Sequence, residues 1–491
     1  MNLACLLKTK YIEALLAILI ILFGVILRIK VYTANLPFWV DEDAFLLDLA
    51  NVFSGKEPFW SGLKNQYSMP VLNILLFFIY KFFNFSELPM RFIPFISSVI
   101  SLCVFTVFVK NIIKTPFLFL IPLFFTAVNT NLLFVSQYCK FYSTDFLIFI
   151  LISIAILNYK YDRQDKKQII KYSFFALIAC LSAISAMFYI TGIFTVLLLK
   201  ILVSKNKTDF KNLLLFSLPS LTFMFFYVFE LINRHENMAY LTEYWHNNGS
   251  YFPFSKDDVI NLFQYHTGIN INDFTYYSLI ICLIFGVFLL LKTCFLLGLI
   301  LLSPVIIMLL LALFDIYPFK DRLTLYLYPL FIILLFSSAD FYKYNQLNKK
   351  LIIIPSFCII LLIFSFSRVD FSYLKEIYLN PDYYKMSYAR EFYNHLKTQY
   401  KTGDLIYSKG RNASLRIYDY NNNIIDFSND VEEVLPFDKF YQTLDFKRTV
   451  HAYFNFSNQN DYEYLKEKAD IINTINDNGG IYVKFKKGKD E

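Results

Sequence analysis

Runs of apolar residues, broken by short polar stretches, recur along the first three quarters of the chain. Many approach the roughly 17–25 residues that an α-helix needs to cross a hydrocarbon core. Those near 12–30, 90–109, 116–135, 144–159, 172–188, 190–204, 212–233, 276–291, 294–314, 324–339 and 350–367 predict about eleven spans, with one division placed near Tyr189–Thr191. The run "PVLNILLFFIYKFF", Pro70 to Phe83, carries Asn73 and Lys81, and runs of about 10–14 residues more often lie at an interface than span. After residue 367 the pattern changes to polar, Asn- and Tyr-rich sequence. There "MSYAREFYNHLKTQY" and "DYEYLKEKADIINTI" predict helices, and "GDLIYSKG", "RTVHAYFNFS" and "GGIYVKFKK" predict strands. The expected organisation is an all-α polytopic membrane domain over 1–367, with a first outer loop at 31–89 and a long outer loop at 234–275. A small extracytoplasmic α/β domain over 368–491 follows.

Composition strengthens this picture. The 491 residues are 57% hydrophobic and only 17% charged, against about 25% charged in soluble proteins. The net charge of +7 sits mostly in short loops, where it reports membrane orientation and not nucleic-acid binding. The seven cysteines are scattered, with no CxxC or metal-ligand spacing, so neither a disulfide framework nor a zinc site is expected. The first apolar run is too long for a signal-peptide core and reads as a retained helix. The basic loops are Lys110–Lys114, Lys160–Lys171, Lys205–Lys211 and Lys343–Lys350. If Pro70–Phe83 does not span, all of them fall on the cytoplasmic side with Lys8 and Lys10, as the positive-inside bias requires.

That parity gathers the polar chemistry on the outer face. "LPFWVDEDAFLLDLANVFSG" places Asp41, Glu42, Asp43 and Asp48 just after the first span. Acids at a helix start cap free N–H groups and meet the positive dipole end, yet a carboxylate at the membrane boundary also suits a general base. "SQYCKFYSTD" adds Lys140, Tyr142 and Asp145, "SELPMR" adds Arg91, and "YPFKDRLTLYLYP" adds Lys320, Asp321 and Arg322. Singly, these cations and aromatics read as interface anchors or loop charge. Together, with almost no charge at mid-span, they argue against a transporter, which buries ionisable groups near the bilayer midplane. They suit an anionic lipid head group, with cations on its phosphate and a carboxylate acting on the incoming nucleophile.

The same residues carry a family resemblance. Asp41-Glu42-Asp43-Ala44, then Gln66, Pro70, Ser86, Glu87 and Arg91, then Ser136, Gln137, Lys140, Tyr142 and Asp145, follow the order of motifs in GT-C glycosyltransferases. "YWHNNGSYFPFS", Tyr244 to Ser255, resembles the family's long outer loop. The branch it resembles contains protein O-mannosyltransferases, lipid A aminoarabinose transferases and RgtA/B/C/D-like proteins, over about residues 10–340. The resemblance implies a bacterial plasma-membrane enzyme that moves a sugar from a polyprenyl-phosphate donor to a glycan, lipid or protein acceptor outside, with inversion. It implies Asp41 as general base and Glu42 next; the outer-face residues themselves add Asp145 in support and Arg91, Lys140 and Arg322 on the donor phosphate, where charge-assisted donors suit an anion at the apolar boundary. Gln66, Gln137, Tyr142, Tyr244 and Trp245 would contact substrate. Tyr138 stands where the family has Glu, and Val135 where it has Tyr. The lost acid makes metal binding by that loop unexpected, so no metal or other cofactor is expected. The competing readings are a lipid-linked glycan flippase and a non-catalytic scaffold that binds lipid phosphate.

The orientation is open to direct test. Single cysteines placed between Asn158 and Lys171 should react with impermeant maleimides only after the membrane is opened. Labelling of intact cells at those positions would reverse the topology.

Overall fold

The computed structural model describes residues 3–56, 69–158, 166–205, 207–234, 238–268, 271–347, 351, 353–367, 369–380, 389–401, 404–407, 412–419, 424–425, 431–432, 437–444, 448–455, 459–477 and 480–487. Its helices in chain order begin with α1 (Leu3–Thr33), α2 (Val40–Phe53), α3 (Pro70–Phe83), α4 (Glu87–Met90), α5 (Phe92–Ile112), α6 (Leu120–Val128), α7 (Thr130–Val135) and α8 (Tyr142–Asn158). Next come α9 (Lys166–Ser182), α10 (Ile184–Ser204), α11 (Lys207–Arg234), α12 (Met238–Asn247), α13 (Lys256–Thr267), α14 (Asp273–Thr293) and α15 (Phe295–Leu313). A 3-10 helix, Asp321–Leu327, leads into α16 (Tyr328–Ser337), α17 (Phe341–Leu347), α18 (Ile353–Phe366) and α19 (Ser372–Leu379). The remainder alternates α20 (Ala389–Gln399), β1 (Leu405–Tyr407), α21 (Asn412–Asp419), β2 (Val431–Glu432), α22 (Phe437–Thr443), β3 (Val450–Asn455), α23 (Gln459–Lys468), β4 (Ala469–Asp477) and β5 (Gly480–Lys487).

Contacts divide the chain into two compact units: Met1–Ala34, Phe59–Leu76 and Arg91–Tyr383 in one, Asn35–Pro58, Phe77–Met90 and Tyr384–Glu491 in the other. The helix after the first span, α2, therefore groups with the C-terminal residues.

The first unit is a helical bundle of an integral membrane protein. Among the described residues, six helices are long and apolar enough to cross a membrane: Thr9–Thr33, Phe92–Ile112, Ile184–Ser204, Asp209–Phe229, Asp273–Thr293 and Phe295–Leu313. Pro70–Phe83, Tyr142–Asn158 and Ile353–Phe366 are shorter apolar helices. The other expected spans differ from continuous helices for identifiable reasons. The run 116–135 breaks at Asn129, whose Oδ1 accepts the Leu132 N–H at 3.0 Å and starts α7 afresh. The run 324–339 begins as the 3-10 helix, and α16 starts with Pro329 in its first turn. The division expected at Tyr189–Thr191 lies instead at Ala183, which is extended at φ −151°, ψ 135°. No proline or glycine marks that point; a distant side chain creates it, as described below.

Close backbone approach holds several helices together, as is common where lipid offers no hydrophobic drive for association. Gly286 of α14 faces the backbone carbonyl of Leu334 in α16 so closely that a Cβ would collide with it, and Gly192 of α10 lies against Ser303 of α15 in the same way.

The second unit contains a five-stranded mixed sheet of order β2-β1-β3-β5-β4. Strand β1 is parallel to β2 and β3, whereas β5 is antiparallel to β3 and β4. Alternation along the strands builds two cores. Tyr407, Val450, Ala452, Phe454, Val483 and Phe485 pack one face with Phe437 and Tyr441. Ile406, Tyr453 and Tyr482 pack the other with Phe392, Leu396 and Leu415. The segment expected to be one helix at 461–475 changes at Lys468 into β4. Its second half, "ADIINTIND", is rich in β-branched residues that favour a pleated strand. It pairs along β5 with a bulge between Ile471 and Asn473.

Gly286→Ala should cost about 1–3 kcal/mol through overpacking against a backbone that cannot withdraw. Thermal unfolding in detergent should show a lower midpoint. An unchanged midpoint would mean that α14 and α16 do not pack as closely as described.

Candidate functional site

Broken helices meet in the membrane unit. Within an apolar bundle, backbone that leaves the helix must find partners inside the protein, so such breaks collect where polar side chains are buried. Asp145, buried in the first turn of α8, is the central partner. Its Oδ1 accepts the Ile184 N–H at 3.2 Å and its Oδ2 accepts the Ser185 N–H at 3.3 Å. One carboxylate thus caps a neighbouring helix, which explains why the chain breaks at Ala183. Tyr326 of the 3-10 helix stands beside Asp145, and its ring lies 5.8 Å from Phe149.

The loop between α7 and α8 supplies a buried cation. Lys140 is 3% exposed, which sets it apart from a snorkelling interface lysine. Its Nζ lies 6.0 Å from the centre of the Tyr138 ring, within cation–π range, and Tyr138 stacks on Tyr142 at 5.8 Å. Gln137 is also buried, and its Oε1 has no hydrogen-bond partner among the described residues. The hydroxyl of Tyr326 is in the same state. Buried amides and phenols are normally paired, so these atoms suit a polar ligand that enters.

Helix α13 and the 3-10 helix complete the cluster. Asn129 Nδ2 donates to the His266 carbonyl at 2.8 Å and Asn131 Nδ2 donates to the Tyr265 carbonyl at 2.6 Å, which anchors the end of α13. Burial raises the Tyr265 phenol, with Tyr142 and Asp321 adding to the effect and Arg322 opposing it, so Tyr265 sits among all three. Burial also raises the Asp321 carboxyl against the pull of Lys320 and Arg322. His266 is enclosed by the rings of Tyr265, Tyr328 and Phe331. Its Nε2 is 3.1 Å from Thr324 Oγ1, and burial lowers its pKa to about 3, so the ring is neutral. Lys320 donates to the Asn248 carbonyl, which ties the segment after α12 to the segment before the 3-10 helix.

The structure therefore brings Gln137, Lys140, Tyr142, Asp145 and Arg322 into one region of the membrane unit. Arg91 begins α5, buried, next to Tyr32 of α1. Tyr244 and Trp245 lie on α12 with their rings edge to face at 5.2 Å, and Tyr244 is exposed. Gln66 lies outside the described residues. Tyr265 and His266 are additions that the motifs did not reach, and Tyr326 lies within a quoted stretch but was not singled out. The only sequence signal was a histidine, rare in this chain, at the end of an amphipathic stretch.

Asp41 and Glu42 belong to the second unit and open α2. Glu42 is buried, and its Oε2 accepts the Trp39 N–H at 3.0 Å, the carboxylate half of a capping box. Asp41 is partly exposed. The segment ahead of α2 is held by the C-terminal residues of the same unit. Tyr418 on α21 donates to Glu87 Oε1 at 3.0 Å and accepts the Phe38 N–H at 3.1 Å. Arg390 on α20 donates to the Asn35 carbonyl at 2.8 Å and to Glu87 Oε1 at 3.3 Å. Burial, reinforced by the carboxylates of Glu87 and Asp43, pushes the Tyr418 phenol well above its usual range, so it remains a donor.

No family model matches the sequence, and no curated protein matches it either. Solved structures do. Apo ArnT from Cupriavidus metallidurans aligns at a TM-score of 0.51 and 11% identity, over 94% of this chain and 97% of that one. The same protein bound to undecaprenyl phosphate aligns at 0.50 and 10%, over 95% and 97%. The Archaeoglobus fulgidus oligosaccharyltransferase complex with zinc and sulfate aligns at 0.46 and 12%, over 81% of this chain and 61% of that one. The likeness to ArnT spans nearly the whole length, and the chain has the fold of GT-C membrane glycosyltransferases.

Asp145→Ala should leave the first N–H groups of α10 unsatisfied, at a cost of about 2–4 kcal/mol. Asp145→Asn keeps one acceptor and should lose less. Thermal unfolding of the two variants beside the wild type gives the order; equal midpoints for all three would remove Asp145 from its capping role.

Proposed function

We propose that this protein is an inverting membrane glycosyltransferase that moves a sugar from a polyprenyl-phosphate donor to an acceptor on the extracytoplasmic face. The observation that carries the reading is the buried Lys140, beside stacked tyrosines and the unsatisfied Gln137, in a chain with the GT-C fold. Lys140 is a buried cation over the Tyr138 ring, and a lipid phosphate is the anion a membrane offers to such a charge-assisted donor. The likeness to ArnT bound to undecaprenyl phosphate supports that class of ligand.

Lys140, with Arg322 and Arg91, holds the donor phosphate through charge-assisted hydrogen bonds, the guanidinium groups pairing it in fork geometry. Gln137 and Tyr142 contact the sugar or its phosphate, and Gln66, Tyr244 and Trp245 contact acceptor or donor. Asp145 positions α10 and the tyrosines around it. Asp41 takes the proton from the acceptor hydroxyl as that oxygen bonds to the anomeric carbon. The bond from that carbon to the phosphate oxygen breaks, the electron pair leaves with polyprenyl phosphate, and the configuration inverts. Glu42 secures the turn that presents Asp41. The site faces outward in the bacterial plasma membrane, and the C-terminal residues form an extracytoplasmic α/β domain.

Asp41→Asn keeps a good N-terminal helix residue but removes the base. Transfer in reconstituted membranes should fall by about 10²–10⁴-fold, with donor binding retained. Lys140→Gln should instead weaken donor binding by about tenfold or more, as expected for a lost charge-assisted contact. Near-normal transfer by Asp41→Asn would reduce Asp41 to a helix cap. Unchanged donor affinity in Lys140→Gln would remove the phosphate from this pocket.

A further inference from the structure

We propose that the opposite end of α8 carries a separate lipid site, which holds one anionic glycerophospholipid with an acyl chain between the helices. A cavity of about 550 Å³ lies there, bounded by α8, α9, α10, α11 and α15. Its volume falls within the roughly 300–1,000 Å³ of ligand sites. The walls are apolar, with Ile152 and Ile156 from α8, Ile193 and Leu197 from α10, Leu213 from α11 and Leu297 from α15. The α8 wall residues Ile152 and Ile156 stand seven and eleven residues beyond Asp145, roughly 10 and 16 Å along the helix. The cavity is therefore distinct from the region around Lys140.

The wall chemistry selects a chain, and the rim selects a head group. Asp209 and Asn212, in the first turns of α11, and Tyr172 of α9 give the cavity a polar edge. Lysines crowd the same helix ends: Lys166, Lys167 and Lys171 on α9, Lys200 and Lys205 at the end of α10, and Lys211 on α11. Lys166 stands one turn before Ile169, and Lys200 follows Leu197 by three residues, so both share the stripe of wall residues. Among the described residues at these helix ends, lysines outnumber Asp209, and basic pockets between membrane helices favour anionic lipid heads. A phosphatidylglycerol head fits both features. Its phosphate meets the lysines, and its glycerol hydroxyls donate to the Asp209 carboxylate and to the side-chain oxygen of Asn212. A cavity with apolar walls packs poorly when empty, because the lining atoms lose contacts on one side; an acyl chain supplies them.

The full-length protein released from nanodiscs of equal phosphatidylglycerol, phosphatidylethanolamine and phosphatidylcholine, weighed by native mass spectrometry, tests this. One phosphatidylglycerol should be retained, preferred over the other two by about tenfold. Lys166→Gln with Lys200→Gln, both at the surface end of helices, should erase the preference while a lipid is still retained. Ala155→Phe, which fills the cavity, should abolish retention. Equal retention of the three lipids by the wild type would overturn the proposal. So would unchanged phosphatidylglycerol retention in the lysine pair, or displacement of the lipid by added undecaprenyl phosphate, which would assign the cavity to the donor.

Discussion

A helix that starts inside an apolar bundle has no water to satisfy its first N–H groups, and here Asp145 supplies their acceptors from another helix. The rest of the membrane unit's polar region depends on that contact. It fixes where α10 begins, and the 3-10 helix lies against the same turn of α8. Phe149 then stacks with Tyr189 at 4.8 Å, and Tyr326 comes up beside the carboxylate. The break at Asn129 works by the same rule, with one amide both starting α7 and holding the end of α13. Irregular backbone is tolerated at these points because the freed Ile184, Ser185 and Leu132 N–H groups find side-chain acceptors within the protein.

The second unit solves a related problem at a helix start. Three acids in the first turn of α2 meet the positive end of its dipole, but they do different things. Glu42 closes the turn on Trp39, which leaves Asp41, partly exposed, to face other partners. Glu87 and Tyr418 fasten the preceding residues to α21, and Arg390 fastens them to α20. Residues more than three hundred positions apart thereby set the entry of α2. Helices α20 and α21, which pack on the C-terminal sheet, thus hold the acidic turn in place.

The apolar runs told where helices would lie, because hydrophobic length is a local property. Helix breaks were legible only where a local residue makes them. Pro329 and Asn129 are visible once known, but the break at Ala183 depends on Asp145, thirty-eight residues earlier, and no window of sequence contains both. The switch from α23 to β4 at Lys468 was missed because "KEKADIINTI" keeps a helix-compatible pattern until β-branched residues pair with β5. Among the candidate residues, Lys140, Tyr142, Asp145 and Arg322 were marked by motif and charge, and all four lie in the membrane unit. The burial of Lys140 and the parts of Tyr265, His266 and Tyr418 were illegible, since they arise from packing between distant segments. Glu42 shows the limit of motif reading in the other direction: the same residue fits an acidic motif and a capping box, and only geometry distinguishes the two.

The claim that phosphate-linked sugar is the substrate is tested most directly in cells. Mass spectrometry of polyprenyl-phosphate lipids and envelope glycans, compared with and without the gene, reads donor and product together. Loss of the protein should make one polyprenyl-phosphate sugar accumulate and one sugar substituent disappear from the envelope, with both restored by the wild-type gene. An unchanged lipid pool together with an unchanged glycan profile would contradict the account.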